Sequence, residues 1–166
     1  EGPAELLEIR WQGLRDIRRR DDAFRDHIDR LYRERSLRGH FREVPMFQHL
    51  SDDVIDALCD ETVFETYGEF DWHGSFKKLA EKSVSDKLAH EPVIAEEGEY
   101  ADGIFLIRSG FARVSHRINH GHGTASFLGK GDVFGFDEVA HNWRTGEQVG
   151  LQHSLRSLGY VDVLRV

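Results

Sequence analysis

Cysteine is almost missing from this chain. Cys59 is the only one in 166 residues, which excludes an intrachain disulfide and a cysteine-rich zinc centre. A reducing, cytoplasmic setting is the expectation, with Cys59 a packing residue inside the helix-like "VIDALCD" and not a reactive thiol. No apolar run approaches the roughly 18 residues that cross a bilayer, so no membrane span is expected. Catalytic signatures are missing too. No Ser/His/Asp or Cys/His set stands out, and "GKGDVFG", residues 129–135, lacks the Gly-Lys-Ser/Thr ending of a phosphate loop. The expectation is a protein that is not an enzyme. An excess of positive charge is likewise absent, the net charge being −8. Residues 1–44 hold 11 Arg against 10 Asp plus Glu, so the deficit lies in the remainder, which would repel a nucleic-acid backbone. "RDIRRRDD" is the one basic cluster, and its interleaved acids mark a solvated helix face.

What is present falls into two patterns. Leu7, Trp11, Leu14, Ile17, Phe24, Ile28 and Leu31 recur at helical steps and predict one helix, or two joined by a bend near Asp21 and Asp22. Residues 1–40 are expected to form a helical segment that serves either as a connector or as a dimerisation helix through which a homodimer would form. In "VPMFQHLSDDVIDALCD" Ser51 is placed to cap a short helix, Asp52 and Asp53 suit its positive end, and Val54, Ile55 and Leu58 form the expected buried side. The chain begins at Glu1 and stops inside the strand-like "YVDVLRV", as a piece of a longer protein would.

The period then changes from helical to alternating. "TVFETYGEF", "PVIAEEG", "GIFLIRS", "FARVSHRIN", "TASFLG", "GDVFG", "HSLRSLG" and "YVDVLRV" are short, rich in β-branched and aromatic residues, and punctuated by glycine. Ser109 and Gly110 are expected to form a two-residue hairpin, and "NHGHG" the next reversal. The fold class is mainly β, a jelly-roll sandwich or barrel over residues 41–166 with N-terminal helices at its flank. One stretch does not fit the meander. Residues 74–90 carry Phe76, Leu79, Ala80, Val84 and Leu88 behind Ser75, which predicts a helical insertion.

Together "VPMFQHLSDDVIDAL", "VIAEEGEYADGIFLIRSGFARV", "FLGKGDVFG" and "LRSLGYVDVLRV" resemble the cyclic nucleotide-binding domain family, the jelly-roll sensor of catabolite activators and kinase A regulatory subunits. The resemblance runs from about residue 41 to the end. It implies a regulatory domain that requires no cofactor and takes a cyclic nucleotide such as cAMP or cGMP as its ligand. Its output would pass to an effector region of the same polypeptide or to a partner protein, through flanking helices that pack differently in free and bound states.

The resemblance also implies where the ligand would sit. In the family a short helix follows the glycine at Gly135, its amides facing the phosphate, with a glutamate for the ribose hydroxyl and an arginine for the phosphate; each is a sound chemical match. This chain departs from that pattern. Phe136 follows Gly135, and the carboxylates Asp137 and Glu138 come one and two places later. Counting back from "SLRSLGYVDVLRV" puts Leu151 at the arginine's place, whereas a second alignment, with seven added residues, puts Arg144 there, followed by Thr145. The expected ligand-binding residues are Gly135, Phe136, Asp137, Glu138, Val139, Arg144 and Thr145.

Two further classes compete. A jelly roll can carry a cupin metal site, and His120 and His122 have the spacing of its first pair, but Phe127 lies near the expected glutamate and only His153 is left as a strand ligand. No metal is expected. The other class is a degenerate domain that does not bind cyclic nucleotides and serves as a protein-interaction module. Leu151, the insertion, Trp72 and Trp143 point that way.

Overall fold

Asp21 interrupts the N-terminal helical pattern. Its backbone turns extended (φ −130°) and its side chain accepts from the Phe24 amide at 2.9 Å, so the helix stops and a capped one restarts. The computed structural model describes residues 8–68, 91–119 and 121–166. Helix α1 is Trp11–Arg20, α2 is Asp22–Tyr32, and after a wider π turn at Arg33–Leu37 comes α3, Arg38–Glu43. Contacts divide the chain into two units, residues 1–59 and 60–166. The helical unit is centred on Leu37, Phe41 and Ile55, all fully buried, with the Phe41 and Phe47 rings edge-on at 5.3 Å.

The apolar stripe is imperfect in α1. Ile17 is 46% exposed while Arg15 and Arg18 are buried, Arg18 pairing with Asp29 at 3.0 Å. An ion pair across the bend turns the helix in a way that periodicity alone does not register. Helix α4, Asp52–Glu61, buries Ile55 and Cys59 one turn apart. Val54 faces outward, because its neighbour already occupies the inward direction.

Among the described residues the second unit is a wholly antiparallel β roll. Its strands are β1 (Val63–Tyr67), β2 (Val93–Ala95), β3 (Phe105–Ile118), β4 (Gly121–Leu128), β5 (Val133–Phe134) and β6 (Ser154–Arg165). The main order is β1-β6-β3-β4, with β2 on β6 and β5 on β3. Gly110 does not end a strand as the sequence suggested. Ser109 and Gly110 lie inside a 14-residue strand, because both halves of β3 keep pairing with β6 across register shifts at these residues. Gly110 sits at φ 85°, and a Cβ there would stand 2.2 Å from the Tyr160 carbonyl oxygen. It is a bulge glycine that lets two strands stay in contact. The second expected reversal is present, β4 starting at Gly121 opposite Ile118.

Alternation sends Phe105, Ile107, Ala112 and Val114 of β3, and Leu155, Val161 and Val163 of β6, into one core with Phe134 and Leu151. Buried Asp162 is satisfied by three hydroxyls. Thr66 donates at 2.8 Å, Ser109 at 3.0 Å and Tyr160 at 2.6 Å, which pins β1, β3 and β6 together. The expected insertion at 74–90 lies outside the described residues. None of the described helices is long and apolar enough to cross a membrane.

Candidate functional site

Gly135 turns the chain from β5 into helix α5, Phe136–Thr145, with a left-handed φ of 84°. The space beside it is taken. A Cβ built there would meet the Gly103 carbonyl oxygen at 3.2 Å, Leu151 Cδ2 at 3.6 Å and the Phe105 ring at 3.8 Å. Leu151 is 4% exposed and belongs to the roll's apolar core. Its backbone is fixed by two bonds of 2.8 Å, its amide to the Glu99 carbonyl and its carbonyl from the Gly98 amide.

Asp137 and Glu138 occupy the first turn of α5, where acids complement the helix dipole. Glu138 has a structural contact, accepting from the Gln152 amide at 3.1 Å. Buried Asn142 donates to the Val149 carbonyl at 2.9 Å and accepts from the Val149 amide at 2.8 Å, closing the loop after the helix. His141 meets Glu147 at 2.7 Å. The helix therefore runs unbroken for ten residues and is tied down at both ends.

That continuity decides what comes together. Gly135, Phe136, Asp137, Glu138 and Val139 gather at the start of α5. Arg144 and Thr145 lie in its last turn, both exposed, and nine residues of helical rise put Arg144 about 13 Å from Gly135. Thr145 donates to the His141 carbonyl at 2.9 Å, and Gly146 ends the helix at φ 72°.

The roll has a cavity that adjoins Gly135 through Gly103, Phe105 and Leu151, although no residue of α5 lines it. It measures about 320 Å³, and Leu151 and Phe105 form part of its apolar wall. Its polar wall was not foreseen: Glu65 and Tyr67 from β1, Glu99 and Asp102 from the turn before β3, and Arg165 at the end of β6. Arg165 pairs with Asp102 at 2.8 Å and faces Glu65 at 3.8 Å, with its guanidinium 5.9 Å from the Phe105 ring centre. Tyr67 donates to Glu65 at 2.8 Å. Burial, then that bonded carboxylate, push the Tyr67 hydroxyl up to about 12, so it stays a neutral donor. Three carboxylates against one guanidinium give the cavity a negative wall. No local motif announces this set, whose members are drawn together from residues 65 to 165.

Two of the three histidines of the cupin alternative lie among the described residues. His116 and His153 meet edge-on at 6.0 Å, His122 pairs across the strands with Arg117, and His120 lies outside the described residues. Among the described residues no group of three or more His, Cys, Asp or Glu converges as a metal ion requires.

Comparison with known proteins bears on residues 87–165, which match the family model described as the cyclic nucleotide-binding domain. No curated protein matches the chain. Among solved structures it is similar to the regulatory subunit of a cAMP-independent protein kinase A from Trypanosoma brucei, in a triply substituted form bound to cAMP. Identity is 15%, TM-score 0.59, and coverage 82% of this chain but 40% of that one. A cyclic nucleotide-binding-like protein from Brucella abortus is 14% identical with TM-score 0.55, covering 78% of this chain and 89% of the other. A cyclic nucleotide-binding domain from Methylobacillus flagellatus is 16% identical with TM-score 0.54, covering 83% and 62%. At these identities the structures establish a shared fold. The likeness read from the sequence, and the jelly-roll class, hold.

Proposed function

We propose that this β roll, whose residues 87–165 match the cyclic nucleotide-binding domain model, is a non-catalytic regulatory module of a longer protein that keeps the fold without anchoring a cyclic phosphate. It acts by contact with an effector region of its own polypeptide or with a partner protein. The observation that carries this reading is Leu151, buried at 4% exposure and lying 3.6 Å from where a Cβ added at Gly135 would stand. An apolar side chain fills the place where the family's arginine would meet phosphate. Losing one charge-assisted hydrogen bond removes about 1.5–3 kcal/mol, and a bidentate arginine supplies two.

Two further observations favour the same reading. Arg144, the alternative phosphate partner, projects from the far end of α5. The cavity would offer an anion the carboxylates of Glu65, Glu99 and Asp102; each costs about 3 kcal/mol for a like charge ~5 Å away at an effective dielectric constant near 20. The trypanosomal neighbour offers a parallel. It belongs to a cAMP-independent kinase, and one of the three substitutions in its cAMP-bound form replaces threonine with arginine.

The test is a thermal titration of the chain with cAMP and cGMP. A ligand present at a hundred times its dissociation constant adds about 2.7 kcal/mol, which for this size raises the midpoint by roughly 5–10 °C. Flat curves with both nucleotides are expected. A saturable rise would overturn the proposal and restore the sensor reading, with Gly135 to Val139 as the ligand's seat.

A further inference from the structure

The cavity excludes an anion by its chemistry, yet its wall already holds a charged group. Arg165 enters it from the end of β6 and is gripped by Asp102 at 2.8 Å, by Glu65 at 3.8 Å and by the Phe105 ring at 5.9 Å. This is a guanidinium cradle of carboxylates and an aromatic face, assembled from three separate parts of the roll. Arg165 does not exhaust it. Glu65, Glu99 and Asp102 line the same space, so one guanidinium faces three carboxylates. Glu99 spends one oxygen on the Glu96 amide at 2.9 Å. About 320 Å³ remains open beside this wall, at the small end of the roughly 300–1,000 Å³ of ligand cavities. Ile94, Ala95 and Ala101 complete an apolar floor, suited to the aliphatic stem of a long basic side chain. Tyr100, 57% exposed, stands at the lining as a hydroxyl-bearing aromatic.

We propose that this cavity receives a second cationic head, a guanidinium or alkylammonium group, seated between Glu65 and Glu99 with its stem against the apolar floor. The group arrives as an arginine or lysine side chain of the effector, or as a free amine of the same chemistry. This rests on the reading of the roll as a contact module and names the chemistry of what it contacts. The site's preference is the inverse of the family's. A cation enters where the phosphate's arginine has been replaced by leucine and the neighbouring carboxylates have been left in excess.

The experiment is a two-dimensional amide NMR titration of the whole chain with three probes: agmatine, the peptide Gly-Gly-Arg-Gly-Gly, and its norleucine counterpart. Saturable movement of the amides at 99–103 and 151 is expected with agmatine or the arginine peptide and not with norleucine. Tighter binding of the peptide than of agmatine assigns the group to a protein partner, and the reverse assigns it to a free amine. Glu65→Gln and Glu99→Gln should each weaken binding about tenfold, the loss of one charge-assisted bond. Glu99→Gln retains an acceptor for the Glu96 amide, so the turn survives in that variant. No saturable movement with either cationic probe overturns the proposal, as does movement of equal size with norleucine or in both Gln variants. A parallel titration with cAMP keeps the two readings apart: saturable movement at 135–139 defeats the absence of phosphate binding, while silence at 99–103 with both cations defeats the cavity assignment alone.

Discussion

The helical unit and the β roll hold themselves together by contacts of opposite range. In the helices the ion pairs join residues near in sequence: Arg25 with Asp22 and Asp26, Arg42 with Asp52, Arg38 with Asp52 and Asp56, mostly exposed. In the roll several polar contacts are buried or half-buried and more distant in sequence, as with Thr66 and Asp162 or Glu91 and Arg113. Exposed pairs contribute little and are screened by salt, whereas a buried carboxylate with three hydroxyl donors is costly to disturb. The helical unit is thus built to tolerate surface change, and the roll is not.

Substitution should break this comparison in a fixed order. The largest effect is expected from Gly110→Ala, where a side chain must take a left-handed backbone against the Tyr160 carbonyl 2.2 Å away. A loss on the order of 4 kcal/mol is expected, in the range reached by strain at special backbone positions. Denaturant unfolding measures it, and a loss below that of the next variant would show that β3 and β6 can part without harm. Leu151→Ala should follow at about 3 kcal/mol, the cost of an emptied core position, with cyclic nucleotide binding still absent by calorimetry. Asp162→Ala should cost about 2 kcal/mol by leaving the hydroxyls of Thr66, Ser109 and Tyr160 with a lost acceptor. Refolding at high salt would not recover it, unlike an exposed pair.

The smallest effect belongs to Asp52→Asn on the helical surface, and it should vanish in concentrated salt. Acid titration sharpens the contrast. Hydrogen bonds from Arg38 and Arg42 hold the Asp52 carboxyl below 3.8, so its contribution is present above that pH and lost as pH falls through the lower folded value. Glu91 runs the other way. Burial raises its carboxyl above 4.5 although Arg113 pairs with it at 2.7 Å. The folded state binds that proton more tightly, so this group's contribution is greatest below 4.5 and declines as pH rises through the raised value. Carboxyl NMR titration of the two should give midpoints displaced in opposite directions, and displacement to the same side would remove the contrast.

Much of the roll was legible in the sequence because glycines and β-branched residues at short range report strands and turns. The β-rich character of residues 105–114 was visible in the letters, although the inward phase slips at the bulge, leaving Phe111 63% exposed with Ala112 and Val114 in the core. The role of Gly110 was not, since a glycine between two apolar runs reads equally as a hairpin or a bulge, and only the pairing of β6 along both halves of β3 chooses. The candidate site divides in the same way. Gly135 and the acids of α5 stand where the motif put them. Arg144 and Leu151 competed for one role on paper, and the unbroken length of α5 sends one to the surface and the other to the interior.

From the amino acids alone came the β-rich class, the family likeness and the mismatch at Leu151, because each depends on residue type and local spacing. The acidic cavity and its captive Arg165 came from tertiary structure. Carboxylates and a guanidinium far apart along the chain become neighbours only when strand register is set, and register is a property of the whole sheet.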